Sequence, residues 1–214
     1  MALLTAVLLL PTPASAFNTP LSEEAVREAY FLGQRHDGYY PRLLEKYTTF
    51  LPPPKNGPYI SSIAFYTPFL QIVQYADRYI GNYSAQQAQI DYRGKGDEIV
   101  QIFVEIQLTE SYGRLMPMSD NTSTSSPPAL VPRPHDFWKD FHVRIHDGDQ
   151  ELTPTGVHGY ANSNCGRRGP CALTGATLEL DFLADAFSSD TATIEVIPPE
   201  GTPVSVNFDL SSLR

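Results

Sequence analysis

Between residues 98 and 109 the side chains alternate almost without a break between apolar and polar. The apolar positions are Val100, Ile102, Val104, Ile106 and Leu108. The positions between them are mostly glutamine, glutamate and threonine. Because a period of two places every apolar side chain on one face of an extended chain, this segment is predicted to be a strand with one buried face.

The same alternation returns four more times before the chain ends. It covers residues 141–146, 178–182, 194–196 and 204–208. Asp147-Gly148 is typical of a hairpin turn after the first of these segments, and Pro198–Gly201 separates the last two as a second turn. Short strands with one apolar face and turn signals between them predict an antiparallel, immunoglobulin-like β-sandwich.

Residues 20–93 follow the helical period instead. A helix is predicted from Pro41 to about Phe50, whereas residues 60–66 fit a strand and a helix equally well. Hydroxyl side chains that can accept a hydrogen bond from the first helical turn mark three further helix starts. These predicted N-caps are Ser22, Thr67 and Ser84.

The change of period predicts an α+β protein in two parts. A tyrosine-rich helical unit over residues 17–94 precedes an acidic β-sandwich over residues 95–214. Residues 111–134 have no period and include a run of serine, threonine and proline, which is typical of a flexible insertion. Strand 98–109 is assigned to the sandwich; the alternative, that it closes the helical unit, stays open.

The first sixteen residues resemble a secretory signal peptide. An apolar stretch to Leu10 is followed by Ala14-Ser15-Ala16, the small-residue pattern of a cleavage site. Cleavage after Ala16 would leave Phe17 as the first residue of an exported chain, periplasmic or extracellular. No lysine or arginine precedes the apolar stretch, which is atypical of a signal peptide and leaves open whether the natural start lies upstream of Met1.

Cys165 and Cys171 are the two cysteines of the chain, and glycine and proline lie between them. A disulfide is the expected state of such a pair in an oxidising compartment. A redox pair would favour two intervening residues, and a zinc site would need further ligands at suitable spacing. The disulfide is therefore preferred to both alternatives.

Charge and tyrosine are distributed unevenly along the 214 residues. Fifteen Lys/Arg and 24 Asp/Glu give a net charge of −9. Residues 17–94 are neutral, with seven of each sign, so the whole imbalance lies in residues 95–214. An acidic surface argues against a nucleic-acid partner, and no apolar run has the length of a transmembrane helix. Ten of the twelve tyrosines lie between Tyr30 and Tyr92, where their spacing favours core packing over an aromatic binding surface.

Several side chains that could bind a ligand or take part in catalysis lie close together in one segment of the sequence. If residues 137–146 form a continuous strand, Trp138, Asp140, His142, Arg144 and His146 share one face. His142 and His146 are then about 13 Å apart, too far to bind one metal ion. A solvated face is the preferred interpretation. The binding candidates, in this segment and in the basic disulfide loop, are His135, Trp138, His142, His158, Arg167 and Arg168.

Three hypotheses for function follow. Since the common nucleophile, metalloprotease and phosphate-loop motifs are missing, we favour an exported, non-catalytic binding or structural module. Its expected partner is a protein or a cell-surface component, and no cofactor, metal or catalytic residue is assigned. One alternative is a hydrolase that uses carboxylates and histidine. The other is a metal-dependent module that uses the acidic turn at residues 147–151, because oxygen-rich turns suit Ca²⁺.

Overall fold

The computed structural model describes residues 17–79, 81, 83–117, 129–166 and 171–214. The predicted signal peptide, residues 118–128 of the predicted insertion, and both Arg167 and Arg168 therefore lie outside the described residues. The described part contains four α-helices and eleven strands. It is an α+β protein in which the two larger antiparallel sheets have a sandwich-like arrangement.

The helices lie in the first half of the chain. Their bounds are α1 Glu23–Gly33, α2 Tyr39–Lys46, α3 Pro68–Arg78 and α4 Ala85–Gly94. The three predicted N-caps are confirmed, because the side chains of Ser22, Thr67 and Ser84 accept hydrogen bonds from Ala25 N, Leu70 N and Gln87 N.

Strands lie in both halves of the chain. In the second half, the strands at residues 99–107, 142–147, 171–183, 191–197 and 204–209 correspond to the predicted alternation, whereas those at residues 115–117, 130–132, 150–152 and 156–165 are not predicted by it. The bounds of the strands are β1 Thr48–Phe50, β2 Tyr59–Tyr66, β3 Ile99–Gln107, β4 Leu115–Pro117, β5 Leu130–Pro132, β6 His142–Asp147, β7 Gln150–Leu152, β8 Gly156–Cys165, β9 Cys171–Leu183, β10 Thr191–Ile197 and β11 Val204–Asp209. The larger sheet has the order β1-β2-β3-β9-β8, and the smaller has the order β11-β10-β6-β7.

Two predictions of local structure are wrong. The helix expected to reach Phe50 ends at Lys46, because Thr48–Phe50 pairs as β1 with β2. The continuous strand expected over residues 137–146 begins only at His142. Phe137–Asp140 forms a 3-10 turn that brings Phe137 into the core beside Phe141, with their ring centroids 6.2 Å apart.

The five-stranded sheet joins the two halves of the sequence. β2 pairs with β3 from Tyr59↔Gln107 to Tyr66↔Gln101, and β3 pairs with β9 along its whole length. The ambiguous segment 60–66 is therefore a central strand. Strand β3 pairs with β2 from the first half of the chain and with β9 from the second half. The sheet therefore contains strands from both sides of the predicted boundary at residue 94.

The core lies between the two larger sheets. Val100, Ile102, Val104 and Ile106 of β3 are fully buried, as their alternation predicts. Phe65 of β2 meets Phe208 of β11 across the sandwich, with ring centroids 5.7 Å apart. A second, smaller cluster joins α1, α3 and α4 through residues such as Val26, Phe69 and Val73.

Three hairpins complete the β part. The predicted turns after β6 and between β10 and β11 are confirmed, and Gly148 has the positive φ of 57° that such a tight turn favours. The predicted disulfide is also confirmed: Cys165 and Cys171 face each other at the end of the β8–β9 ladder and are bonded.

Candidate functional site

The outer face of the five-stranded sheet is the face turned away from the core. Side chains along a strand alternate between the two faces of a sheet. On β3, β9 and β8, the residues that lie between core residues in the sequence are therefore on the outer face. Seven polar residues on this face are linked to one another by hydrogen bonds or a close ion-pair contact, and we call them the polar row. They are Gln101, Glu105, His158, Asn162, Thr177, Glu179 and Asp181.

One half of the polar row is organised by Gln101. Its Nε2 donates to Glu179 Oε1 at 2.6 Å and to Asp181 Oδ1 at 3.2 Å. The other oxygen of Asp181 lies 3.7 Å from His158 Nε2. Three strands therefore supply one connected group of two carboxylates, an amide and an imidazole.

The other half is organised by Glu105. Thr177 Oγ1 donates to Glu105 Oε1 at 2.8 Å, and Asn162 Nδ2 donates to Glu105 Oε2 at 3.2 Å. Asn162 also donates to Thr177 Oγ1 at 3.1 Å. These contacts hold the Glu105 carboxylate in one orientation on the sheet. Tyr160 lies beside it on β8, opposite Thr177, and is mostly exposed.

The pKa of Glu179 is raised above its ordinary value of 4.5. Partial burial is the largest cause, the neighbouring charge of Asp181 adds to it, and His158 opposes it. The raised pKa means that the folded protein binds this proton more tightly than the unfolded chain does. The ionised carboxylate therefore costs stability at neutral pH.

Glu179→Gln is expected to raise the free energy of unfolding slightly at pH 7, because solvent screens the charge of this partly exposed side chain. The stabilising contribution of protonated Glu179 is fully present below the unfolded pKa of 4.5. It is lost as the pH rises through the pKa that Glu179 has in the folded protein. The gain should therefore disappear at about pH 4. Urea unfolding across this range tests it, with the exposed Glu110→Gln as the matched control. A gain that is the same at all pH values, or that the control shares, would contradict this account.

A cleft of about 830 Å³ opens beside the polar row, between the sheet and helices α3 and α4. We call it the tyrosine cleft, because Tyr75, Tyr83 and Tyr92 line it. Gln101 and Asp181 belong to its lining as well as to the polar row. The two features therefore form one continuous surface.

The predicted binding residues are not gathered in one place. His158 lies in the polar row, but His142 is exposed on β6, on the outer face of the smaller sheet. The core separates these two faces, so the histidines cannot meet at one ligand. His135 is exposed in the turn before Phe137.

Trp138 has a packing role at the edge of the sandwich. It lies in the 3-10 turn and covers Gly159 of β8. A Cβ atom at position 159 would come within 2.2 Å of its ring, so glycine is needed for this close approach. Trp138 and Asp140 therefore do not share a face with His142 as part of one strand.

The acidic turn at residues 147–151 does not present all of its carboxylates to solvent. Asp147 is buried and accepts hydrogen bonds from Ser188 N and Ser188 Oγ, both at 2.9 Å, and from Ser189 N at 3.0 Å. Glu151 lies 4.0 Å from His146. Within the described ranges, no three His, Cys, Asp or Glu side chains are placed so that they could hold a metal ion.

Most of the polar row was not identified from the sequence. The alternation does place Gln101 and Glu105 opposite the buried face of β3, and Glu179 and Asp181 opposite that of β9. It contains no signal that β3 and β9 are neighbours in the register Gln101↔Asp181. That pairing is what brings these side chains together.

No protein-family model matches this sequence. A search of curated proteins likewise returns no match. In the described part of the chain, none of the helices combines the length and the apolar character needed to cross a bilayer.

Proposed function

We propose that this chain is an exported, non-catalytic binding module with an immunoglobulin-like sandwich. The outer face of its five-stranded sheet, together with the tyrosine cleft, is its binding surface. The observation that carries this proposal is the polar row, whose side chains are fixed by one another beside an open cleft.

Preorganised side chains are typical of a recognition surface. A sheet face that serves only solubility needs no mutual hydrogen bonds among its side chains. Here Gln101 bridges two carboxylates and Glu105 is held by two donors, while His158 and Tyr160 stay about half exposed. A ligand would therefore meet donors and acceptors that are already oriented.

The surroundings of His158 support binding rather than nucleophilic catalysis. A histidine base in such catalysis is hydrogen-bonded to a hydroxyl or a thiol and is oriented by a third group. His158 has Asp181 beside it as an orienting group. Among the described residues, none places a hydroxyl or thiol within hydrogen-bonding distance of its imidazole.

Export and the sandwich type are the two other parts of the proposal. The apolar leader, the Ala14-Ser15-Ala16 pattern and the bonded cysteine pair support export. The immunoglobulin-like assignment is supported by the path of the chain. It crosses between the two larger sheets from β3 to β6, from β7 to β8 and from β9 to β10.

A tagged copy expressed in cells tests both export and binding. We expect the exported fraction to contain a chain whose N-terminal sequence begins at Phe17. We also expect the purified protein to sediment with isolated cell-envelope material from the producing cells. The double variant His158→Ala/Tyr160→Ala should lose most of this binding, because both side chains are exposed on the proposed surface.

His142→Ala is the matched control, since His142 is exposed on the opposite face of the sandwich. It should sediment like the unaltered protein. An intact Met1 in the cytoplasmic fraction would contradict export. Absence of sedimentation, or equal loss in the double variant and in the control, would contradict the proposed binding surface.

A further inference from the structure

We infer that the tyrosine cleft binds an organic cation, with an alkylammonium group placed between its aromatic wall and its carboxylate wall. This inference rests on the proposed function and names the class of ligand for the same surface. Three features of the cleft support it: exposed tyrosine rings, an excess of carboxylates, and carboxylates that are already held in position.

The aromatic wall is formed by Tyr75 of α3 and by Tyr83, which follows α3; Tyr79 packs against both of these rings but does not itself line the cleft. The ring centroid of Tyr83 lies 5.1 Å from that of Tyr75 and 5.1 Å from that of Tyr79, and Tyr75 and Tyr79 are 5.4 Å apart. Tyr75 and Tyr79 are nevertheless about half exposed. Tyrosines that served only the core would be buried, as Tyr30 and Tyr47 are.

The lining of the cleft is also acidic. Four carboxylates and one ammonium group line it, which leaves a formal excess of three negative charges. These residues are Asp91, Asp97, Glu98, Asp181 and Lys95. Three of the four carboxylates belong to residues 95–214, the part of the chain that carries the net negative charge.

Two of these carboxylates are fixed by neighbouring groups. Glu98 accepts a hydrogen bond from Leu21 N at 2.7 Å and another from the hydroxyl of Thr19. Asp181 accepts one from Gln101. Neither carboxylate has a lysine or arginine as an ion-pair partner among the described residues. His158 lies 3.7 Å from Asp181 and pairs with its charge only when the imidazole is protonated, so with a neutral imidazole both negative charges are available to a ligand.

Both walls favour the same ligand charge. The face of an aromatic ring is electrically negative and attracts an ammonium group, most strongly when the group is partly removed from water. The negatively charged carboxylates also attract the ammonium group. An anion would be repelled by both walls, and a neutral ligand would gain from neither charge. The volume of about 830 Å³ is enough for a ligand of several carbon atoms.

Choline chloride and its neutral isostere 3,3-dimethylbutan-1-ol separate charge from shape. Each is titrated into the full chain while ¹H–¹⁵N spectra are recorded, with sodium chloride used to match ionic strength. Choline should shift the amide signals of cleft residues such as Gly94, Gly96 and Ile99. The isostere should bind at least about tenfold more weakly.

Single substitutions test the contribution of the aromatic wall and of the carboxylate wall to choline binding. Tyr75→Ala and Asp181→Asn should each weaken choline binding by about three- to thirtyfold. Tyr75→Phe keeps the ring and should retain the affinity, and Asp149→Asn removes an exposed charge outside the cleft and should change nothing. Asparagine at position 181 can still accept the hydrogen bond from Gln101, and retained amide spectra would show that each variant is folded.

Equal affinity for choline and the isostere would overturn the cation assignment while leaving the cleft as a binding site. Equal weakening by Asp149→Asn would reveal non-specific charge attraction and would also overturn it. If neither probe shifts the cleft signals, the cation assignment is wrong. The sedimentation experiment then decides independently whether the proposed binding surface stands.

Discussion

Phe17→Ala is expected to lower the free energy of unfolding by about 3–5 kcal/mol. Phe17 is 4% exposed, and its ring centroid lies 6.2 Å from those of both Phe65 and Phe187. Alanine would leave a cavity that these two rings cannot fill without moving, so the loss of apolar contact is added to the cost of the cavity. Urea unfolding followed by circular dichroism measures the change.

Phe50→Ala is the matched control, since Phe50 is 68% exposed on β1. Its effect should stay within about 0.5 kcal/mol. Similar losses in the two variants would contradict the assignment of Phe17 to the core. A chain processed after Ala16 keeps the Phe17 ring, so the same large effect is expected in the full chain and in a chain that begins at Phe17.

Asp147→Ala is expected to cost about 2–3 kcal/mol of stability. The carboxylate accepts from both Ser188 and Ser189, and these hydrogen bonds tie the β6–β7 turn to the chain that leads into β10. Alanine leaves the donors without this acceptor in a partly buried place. A lowered melting temperature measures the loss.

Asp149→Ala is the control for this experiment, because Asp149 is exposed two residues further along the same turn. It should change stability by less than about 0.5 kcal/mol. Added Ca²⁺ should leave the melting temperature of the unaltered protein unchanged, since a ligand raises it only by binding the folded state. Equal effects of the two substitutions would contradict the structural role of Asp147, and a clear rise with Ca²⁺ would contradict the expectation that the folded protein does not bind this ion.

Local patterns account for much of the secondary structure. The alternation that ends at Ile106 and Leu108 corresponds to β3, and the hydroxyl caps at Ser22 and Thr67 begin α1 and α3. These features depend on residues a few positions apart, so they can be seen in a single sequence. The errors arose where distant chain segments decide the outcome. Thr48–Phe50 becomes a strand only because β2 pairs with it.

The candidate site shows the same division. The outward direction of Gln101 and Glu105 follows from the period of β3 alone. Their partners Asp181 and Thr177 are more than seventy residues away along the chain, and a shift of one residue in the pairing would have turned them into the core. The exposure of Tyr75 and Tyr79 also depends on the tertiary structure, because the helical period of the sequence does not indicate which face of a helix stays exposed to solvent.

The sequence by itself determined the alternation, the helix caps, the two late turns, the cysteine pairing and the restriction of the acidic charge to residues 95–214. Each of these depends on nearest neighbours or on composition. Only the tertiary structure decided that one sheet runs through both halves, that His142 and His158 lie on opposite faces, and that Asp147 points inward. These outcomes depend on which distant strands pair and in what register, and that choice is made by burial of the whole core.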